Sequence, residues 1–150
     1  MPRITGDWLS GSESVPSSSP ADRLGLPAHG PGAPAGTGRR VVAFFVDAFA
    51  SALVAALFIP DPESAARGLL GVGVLAAEYV VLLSLTGQTF GMRLLRLRVL
   101  LLARRDAPPG FRPALLRTAL LVLLIPALLT DQDGRGLHDK AAGTFVVRAG

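Results

Sequence analysis

The amino-acid sequence predicts an all-α integral membrane protein built on three hydrophobic helices. Half of the residues are hydrophobic and only 17% are charged. The apolar residues are concentrated in three runs, at about 41–59, 69–85 and 113–129. The first run has 19 residues, and as a helix it extends roughly 28 Å, close to the hydrocarbon thickness of a bilayer.

The first two runs predict an antiparallel helical hairpin. Pro60 and Pro62 end the first helix, because proline cannot continue the hydrogen-bond ladder. Thr86-Gly87 follows the second helix as its exit. The connection at 60–68 is short, so the two helices are expected to lie side by side.

The third run is the least regular. It carries Arg117, and Pro126 interrupts it, so it either crosses the membrane with a kink or forms a re-entrant or interfacial segment. We expect the crossing, which would place the C-terminal tail outside. Two β-prone stretches, 97–101 and 144–148, argue against it, because strands that pair must lie on the same side.

Residues 1–38 predict a disordered cytoplasmic leader, and residues 39–150 the transmembrane domain. The leader holds six prolines, seven glycines and six serines, a composition that cannot bury enough apolar surface to offset the entropy of ordering.

The loop charges predict the orientation. The 87–114 loop has six arginines and one aspartate, whereas the 60–68 loop has one arginine and two acids. By the positive-inside rule, the N-terminus and the 87–114 loop are cytoplasmic. Arg93, Arg96 and Arg98 are interleaved with apolar residues, which indicates contact with anionic lipid headgroups.

Several functional classes have little support in the sequence. The net charge is +4, but no basic-aromatic motif accompanies it, so we do not expect nucleic-acid binding. There is no cysteine, and no hydrolase triad, zinc-protease motif, P-loop or dinucleotide fingerprint. We therefore expect neither an enzyme nor a cofactor or metal site.

Two acids in the apolar runs are the candidate functional residues. Asp47 lies seven residues after Arg40, and Glu78 lies seven residues before Leu85, so in a hairpin both would sit roughly 10 Å from the cytoplasmic end. Carboxylates at one depth would share a proton or a cation.

In the structural alternative, Arg40 forms a buried pair with Asp47. Glu78 is then satisfied by Tyr79, Arg117 or another subunit, and the acids only hold the helices together.

Residues 39–150 resemble the RDD family of small bacterial membrane proteins. The resemblance rests on an arginine and an aspartate in the first helix, a Thr-Gly-Gln-Thr-Phe-Gly segment, an arginine in the third run and a Gly-Leu-His-Asp segment near the C-terminus. Met92 departs from the pattern, because a lysine commonly stands there. The family positions that the resemblance implies are Arg40, Asp47, Gly87, Thr89, Gly91, Arg117, His138, Asp139, Gly143 and Thr144.

The resemblance implies a bacterial plasma-membrane protein, and the leader is similar to those of actinobacterial members. Transport, including cation/proton exchange, has been proposed for some members of this family of uncertain function. We carry two hypotheses: transport through the carboxylates Asp47 and Glu78, or an accessory subunit of a larger membrane complex. Three short helices cannot enclose a pathway alone, so transport predicts a homo-oligomer or a larger assembly.

Overall fold

The computed structural model describes residues 21–22, 25–101, 107–123 and 137–150. Helices predominate, with a small sheet at one end. The elements in chain order are α1 (Thr37–Phe58), α2 (Ala65–Thr86), α3 (Phe90–Leu94), β1 (Leu97–Leu101), α4 (Phe111–Val122), α5 (Leu137–Ala141) and β2 (Thr144–Arg148).

The two long helices form an antiparallel hairpin, as the sequence predicts. Each has 22 residues and is long and apolar enough to cross a membrane. Gly71 of α2 packs against Ala55 of α1, where an added Cβ would lie 3.7 Å from the alanine Cβ. Large apolar side chains cover the outside, and Phe49 and Leu57 are 67% and 81% exposed. An apolar surface of this extent is suited to lipid and costly in water.

A tight reversal leads from α2 into β1. Gly87 ends α2 with φ +72°, and its N–H donates to the carbonyl of Leu83. The carbonyl of Gly87 then accepts from the N–H of Val99 at 2.7 Å. An added Cβ at Gly87 would lie 2.8 Å from the Val99 carbonyl oxygen, so the turn needs glycine on both conformational and steric grounds.

The two β-prone stretches pair in the structure, which corrects the all-α prediction. β1 and β2 are antiparallel, with Leu97 opposite Arg148 and Leu101 opposite Thr144. A single crossing by the third apolar run would put the strands on opposite sides of a membrane, so the expected crossing is wrong. Of the third predicted helix, α4 covers 111–122; residues 124–129 lie outside the described part of the chain.

Part of the leader is built into the fold, which corrects the predicted disorder for residues 32–35. The Ala35 N–H donates to the carbonyl of Val146, and the Arg148 N–H donates to the carbonyl of Ala33. The Arg148 carbonyl in turn accepts from the Gly32 N–H. Ala33 and Ala35 are buried. Main-chain hydrogen bonds to the edge of β2 offset the conformational entropy that this segment loses on ordering. The prediction of disorder considered composition alone and so did not include these bonds. Residues 1–20, also within the predicted leader, are outside the described residues.

The core lies where the sheet meets the helices. Tyr79 and Leu83 of α2, Leu97 and Val99 of β1 and Val146 of β2 are all buried there. We call this the sheet end of the hairpin and the opposite end, at residues 59–64, the loop end. The core at the sheet end positions the polar residues described next.

Candidate functional site

One stripe of α1 faces the interior. Ala43, Asp47, Ser51 and Ala55 recur every four residues and are the buried residues of the helix. Residues four apart lie above one another on a helix, so the aspartate faces the protein interior, whereas Phe45 and Phe49 face outward. Asp47 is fully buried.

The Asp47 carboxylate receives hydrogen bonds from the segment that follows α2. The Thr89 hydroxyl donates to Oδ2 and the Gly91 N–H to Oδ1, each at 2.5 Å. Thr89 also caps α3, because its oxygen accepts from the Met92 N–H at 3.2 Å. Both carboxylate oxygens therefore hold the start of α3 against α1, which is how the chain accommodates an acid at this depth.

Gly91 is required for this close approach. An added Cβ would collide with the carbonyl oxygen of Ala43 and would lie 2.9 Å from Asp47 Oδ1. Gly91 belongs to α3 and is buried against Ala43 and Asp47 of α1. Any side chain would move α3 away from α1 and separate the Gly91 N–H from the carboxylate.

Glu78 reaches the same segment from α2. Its Oε1 accepts from the Phe90 N–H at 3.1 Å, next in sequence to the Gly91 N–H that Asp47 holds. The two carboxylates also interact electrostatically with each other. The structure thus brings together the two acids that the sequence singled out; Asp47 is fully buried and Glu78 partly exposed.

Tyr79 links this acid pair, Asp47 and Glu78, to a second polar cluster. It is 2% exposed, and its hydroxyl interacts electrostatically with Asp47 and with Arg117 of α4. From the sequence, Tyr79 was a possible partner of Glu78 but not a candidate site residue. The register of the hairpin accounts for its position. Because Gly71 lies against Ala55, the antiparallel pairing of the two helices places residue 79 opposite Asp47.

The second cluster, which we call the Arg–Asp cluster, consists of Arg40, Arg117, Asp139 and Thr144. Arg117 Nη1 forms a buried ion pair with Asp139 Oδ1 and lies 3.5 Å from the Thr144 hydroxyl. Arg40 Nη1 lies 3.4 Å from the other Asp139 oxygen. Burial lowers the pKa of the Arg117 guanidinium to about 10, which leaves it charged at neutral pH and able to pair with the carboxylate.

Arg40 does not pair with Asp47, contrary to the structural alternative drawn from the sequence. Its guanidinium donates to the carbonyls of Ala35 and Val146, at 3.1 and 3.4 Å, besides contacting Asp139. Helical side chains lean toward the N-terminus. Arg40 therefore extends away from an aspartate two turns ahead of it, toward the leader and β2.

The remaining family positions are distributed around the Arg–Asp cluster. Thr144 is fully buried, and its hydroxyl contacts Asp139 Oδ1 at 3.2 Å. Gly143 has φ +63° in the turn between α5 and β2. His138 lies in α5, and its side chain is outside the described residues. Within the described ranges, no group of three or more His, Cys, Asp or Glu residues could hold a metal ion.

The arginines assigned to lipid headgroups lie at the sheet end. Arg93 and Arg96 are exposed, and Arg98 is partly exposed. Phe90 and Leu94, on the same short helix as Arg93, are 55% and 67% exposed. Apolar and cationic side chains thus share this surface, which is the composition of a membrane interface.

These observations define a class of protein: a small membrane-embedded helical domain in which two polar clusters attach α3 and a short sheet to a helical hairpin. The chain belongs to the RDD family, whose model matches residues 64–143, which is more than half of its length. Arg40 and Asp47 precede the matched segment, yet both contact residues within it. No curated protein and no solved structure matches the chain.

Proposed function

We propose that this protein moves protons or small cations across the bacterial plasma membrane, with Asp47 and Glu78 as the binding site. The observation that supports this is the proximity of two carboxylates without a cation to neutralise them. In the part of the chain that the structure describes, neither acid forms an ion pair. Two neighbouring carboxylates in a medium of low dielectric cannot both ionise without a proton or a cation between them.

The two acids have different parts in this proposal. Asp47 uses both oxygens to hold Thr89 and Gly91, so it is the fixed partner. Glu78 has one oxygen engaged, by the Phe90 N–H, and is partly exposed. Glu78 is therefore the group that exchanges the proton or cation, and its charge state is coupled to the position of α3.

The proposal includes an orientation and an assembly. The N-terminus and the sheet end face the cytoplasm, where Arg93, Arg96 and Arg98 contact anionic headgroups. Within the described residues, a hairpin of two long helices is joined only by shorter helices, which is too little to enclose a pathway. The transporting unit is therefore a homo-oligomer or a complex with other subunits.

Transport is tested with purified protein in proteoliposomes that contain a pH-sensitive dye. A sodium or potassium gradient across the vesicles should change the internal pH. Glu78→Gln should reduce the rate at least tenfold, because the neutral amide cannot bind and release a proton. The matched control is Glu63→Gln, a change of the same kind in the exposed segment at the loop end. A rate that is unchanged in the Asp47→Asn, Glu78→Gln double variant would exclude the assigned site.

A second candidate is an accessory subunit of a larger membrane complex. The engagement of both Asp47 oxygens favours it, because these contacts already explain the aspartate as a structural residue. Gly73 and Ala77, four residues apart on α2, are exposed instead of packing within the hairpin, and small residues allow close approach of another helix. Absence of flux, with a defined subunit that co-purifies and is lost in Gly73→Phe, would favour this candidate over transport.

A further inference from the structure

A groove runs between α1 and α2 at the loop end of the hairpin. Its volume is about 340 Å³. Small residues form much of its wall, with Ala48, Ala52 and Ala55 on one helix and Gly68 and Gly71 on the other. The groove is separate from the acid pair and from the Arg–Asp cluster, which lie toward the sheet end.

The length and lining of the groove indicate its occupant. From Arg67 at the mouth to Leu75 at the inner end, eight residues of α2 rise about 12 Å, close to the half-thickness of a hydrocarbon core, roughly 15 Å. Between these ends the lining is small and apolar, which suits one extended hydrocarbon chain that enters from a single leaflet.

The guanidinium of Arg67 lies at the mouth of the groove. Arg67 is partly buried, and its Nη1 donates to the carbonyl of Pro60 at 3.1 Å. Across the described ranges, Arg67 has no ion pair with a carboxylate. A guanidinium has five N–H donors in a planar fork, an arrangement that matches a phosphate group.

We propose that this groove binds one phospholipid from the leaflet next to the loop end, with an acyl chain along the groove and the phosphate on Arg67. The apolar wall of the groove would contact the acyl chain, and the length of the groove matches the depth of a single leaflet. The Arg67 guanidinium would bind the phosphate of the headgroup. The site does not depend on the transport proposal, because none of its residues belongs to the acid pair.

The test is native mass spectrometry of the full-length protein, delipidated in detergent and titrated with phosphatidylglycerol. One lipid should bind per chain. Ala52→Phe should abolish this binding by filling the groove. Arg67→Gln should weaken it about fivefold, the effect of one interfacial arginine on an anionic headgroup. Diacylglycerol, which has the chains but no phosphate, should bind equally weakly to the unchanged protein and to Arg67→Gln.

The matched control is Gly73→Phe, which adds the same side chain to α2 outside the groove, where an added Cβ meets nothing within 4 Å. It should bind lipid like the unchanged protein. Equal binding by Ala52→Phe and Gly73→Phe would overturn the proposal. So would disulfide formation between two copies of Ala52→Cys, since the chain has no other cysteine and the bond would place a second copy on the groove.

Discussion

Gly91→Ala gives the most direct test of how the polar interior is assembled. The added Cβ would collide with the Ala43 carbonyl and lie 2.9 Å from Asp47 Oδ1, so α3 has to move away from α1. The movement breaks the hydrogen bond from the Gly91 N–H to the carboxylate. Losing a hydrogen bond to a charged group costs about 1.5–3 kcal/mol, and overpacking adds about 1–3 kcal/mol. Together we expect a loss of about 3–5 kcal/mol in the free energy of unfolding.

The assay is reversible unfolding in mixed micelles, followed by the loss of helical signal as the fraction of denaturing detergent rises. Gly73→Ala is the matched control, because it makes the same substitution within α2 in open space. It should leave stability unchanged or raise it by about 0.5–1 kcal/mol, the helix-propensity difference between alanine and glycine. If Gly91→Ala unfolds at the same detergent fraction as the unchanged protein, the close contact between α1 and α3 is wrong.

Three further substitutions test the two clusters in the same unfolding assay. Asp139→Asn should lower the free energy of unfolding by about 3–5 kcal/mol, because it leaves the buried Arg117 charge without its partner. A decrease below about 1 kcal/mol would argue against this ion pair. Thr89→Val should cost about 1–3 kcal/mol by removing a hydroxyl from a buried carboxylate, and Thr89→Ser should recover most of that loss; equal stability of the valine and serine variants would contradict the hydrogen bond. Tyr79→Phe should lower the free energy of unfolding by about 1 kcal/mol. It should also make the effects of Asp47→Asn and Asp139→Asn more nearly additive in double-mutant cycles. If the coupling between Asp47 and Asp139 is unchanged in Tyr79→Phe, Tyr79 does not link the two clusters.

The sequence predicts the two long helices well, because a membrane-spanning helix depends on one averaged property, the hydropathy of the segment over its length. The predicted runs 41–59 and 69–85 lie almost entirely within α1 and α2, which begin four residues earlier. Length and hydropathy determine which segments suit the interior of a bilayer. The bounds of β1 and β2 also coincide with the predicted β-prone stretches 97–101 and 144–148.

The third segment shows where local pattern stops being sufficient. Its apolar run suggested a crossing, but the pairing of β1 with β2 brings the chain back to the side it left. Whether a short, interrupted apolar run crosses or returns depends on what its two flanks bind. That information resides in contacts between β1 and β2, which lie more than 40 residues apart in the sequence.

The partners of the charged residues show the same limit. Spacing along α1 suggested an interaction between Arg40 and Asp47, yet Arg40 contacts Asp139, 99 residues away, and Asp47 is held by Gly91, 44 residues away. Side-chain direction on the helix excludes the local pair. The leader gave a related error at residues 32–35, because its composition carried no information about the strand edge that it meets.

The sequence by itself determined that this chain has two lipid-suited helices, an asymmetric distribution of charge and two acids at matching depth, because each of these follows from residue type and helical rise. Only the tertiary structure decided that Asp47 and Glu78 hold neighbouring N–H groups of one segment, that Arg40 and Arg117 share Asp139, and that Tyr79 lies between the two clusters. The physical reason is that a buried charge needs a partner in a medium of low dielectric, and chain folding, not sequence spacing, brings that partner within reach.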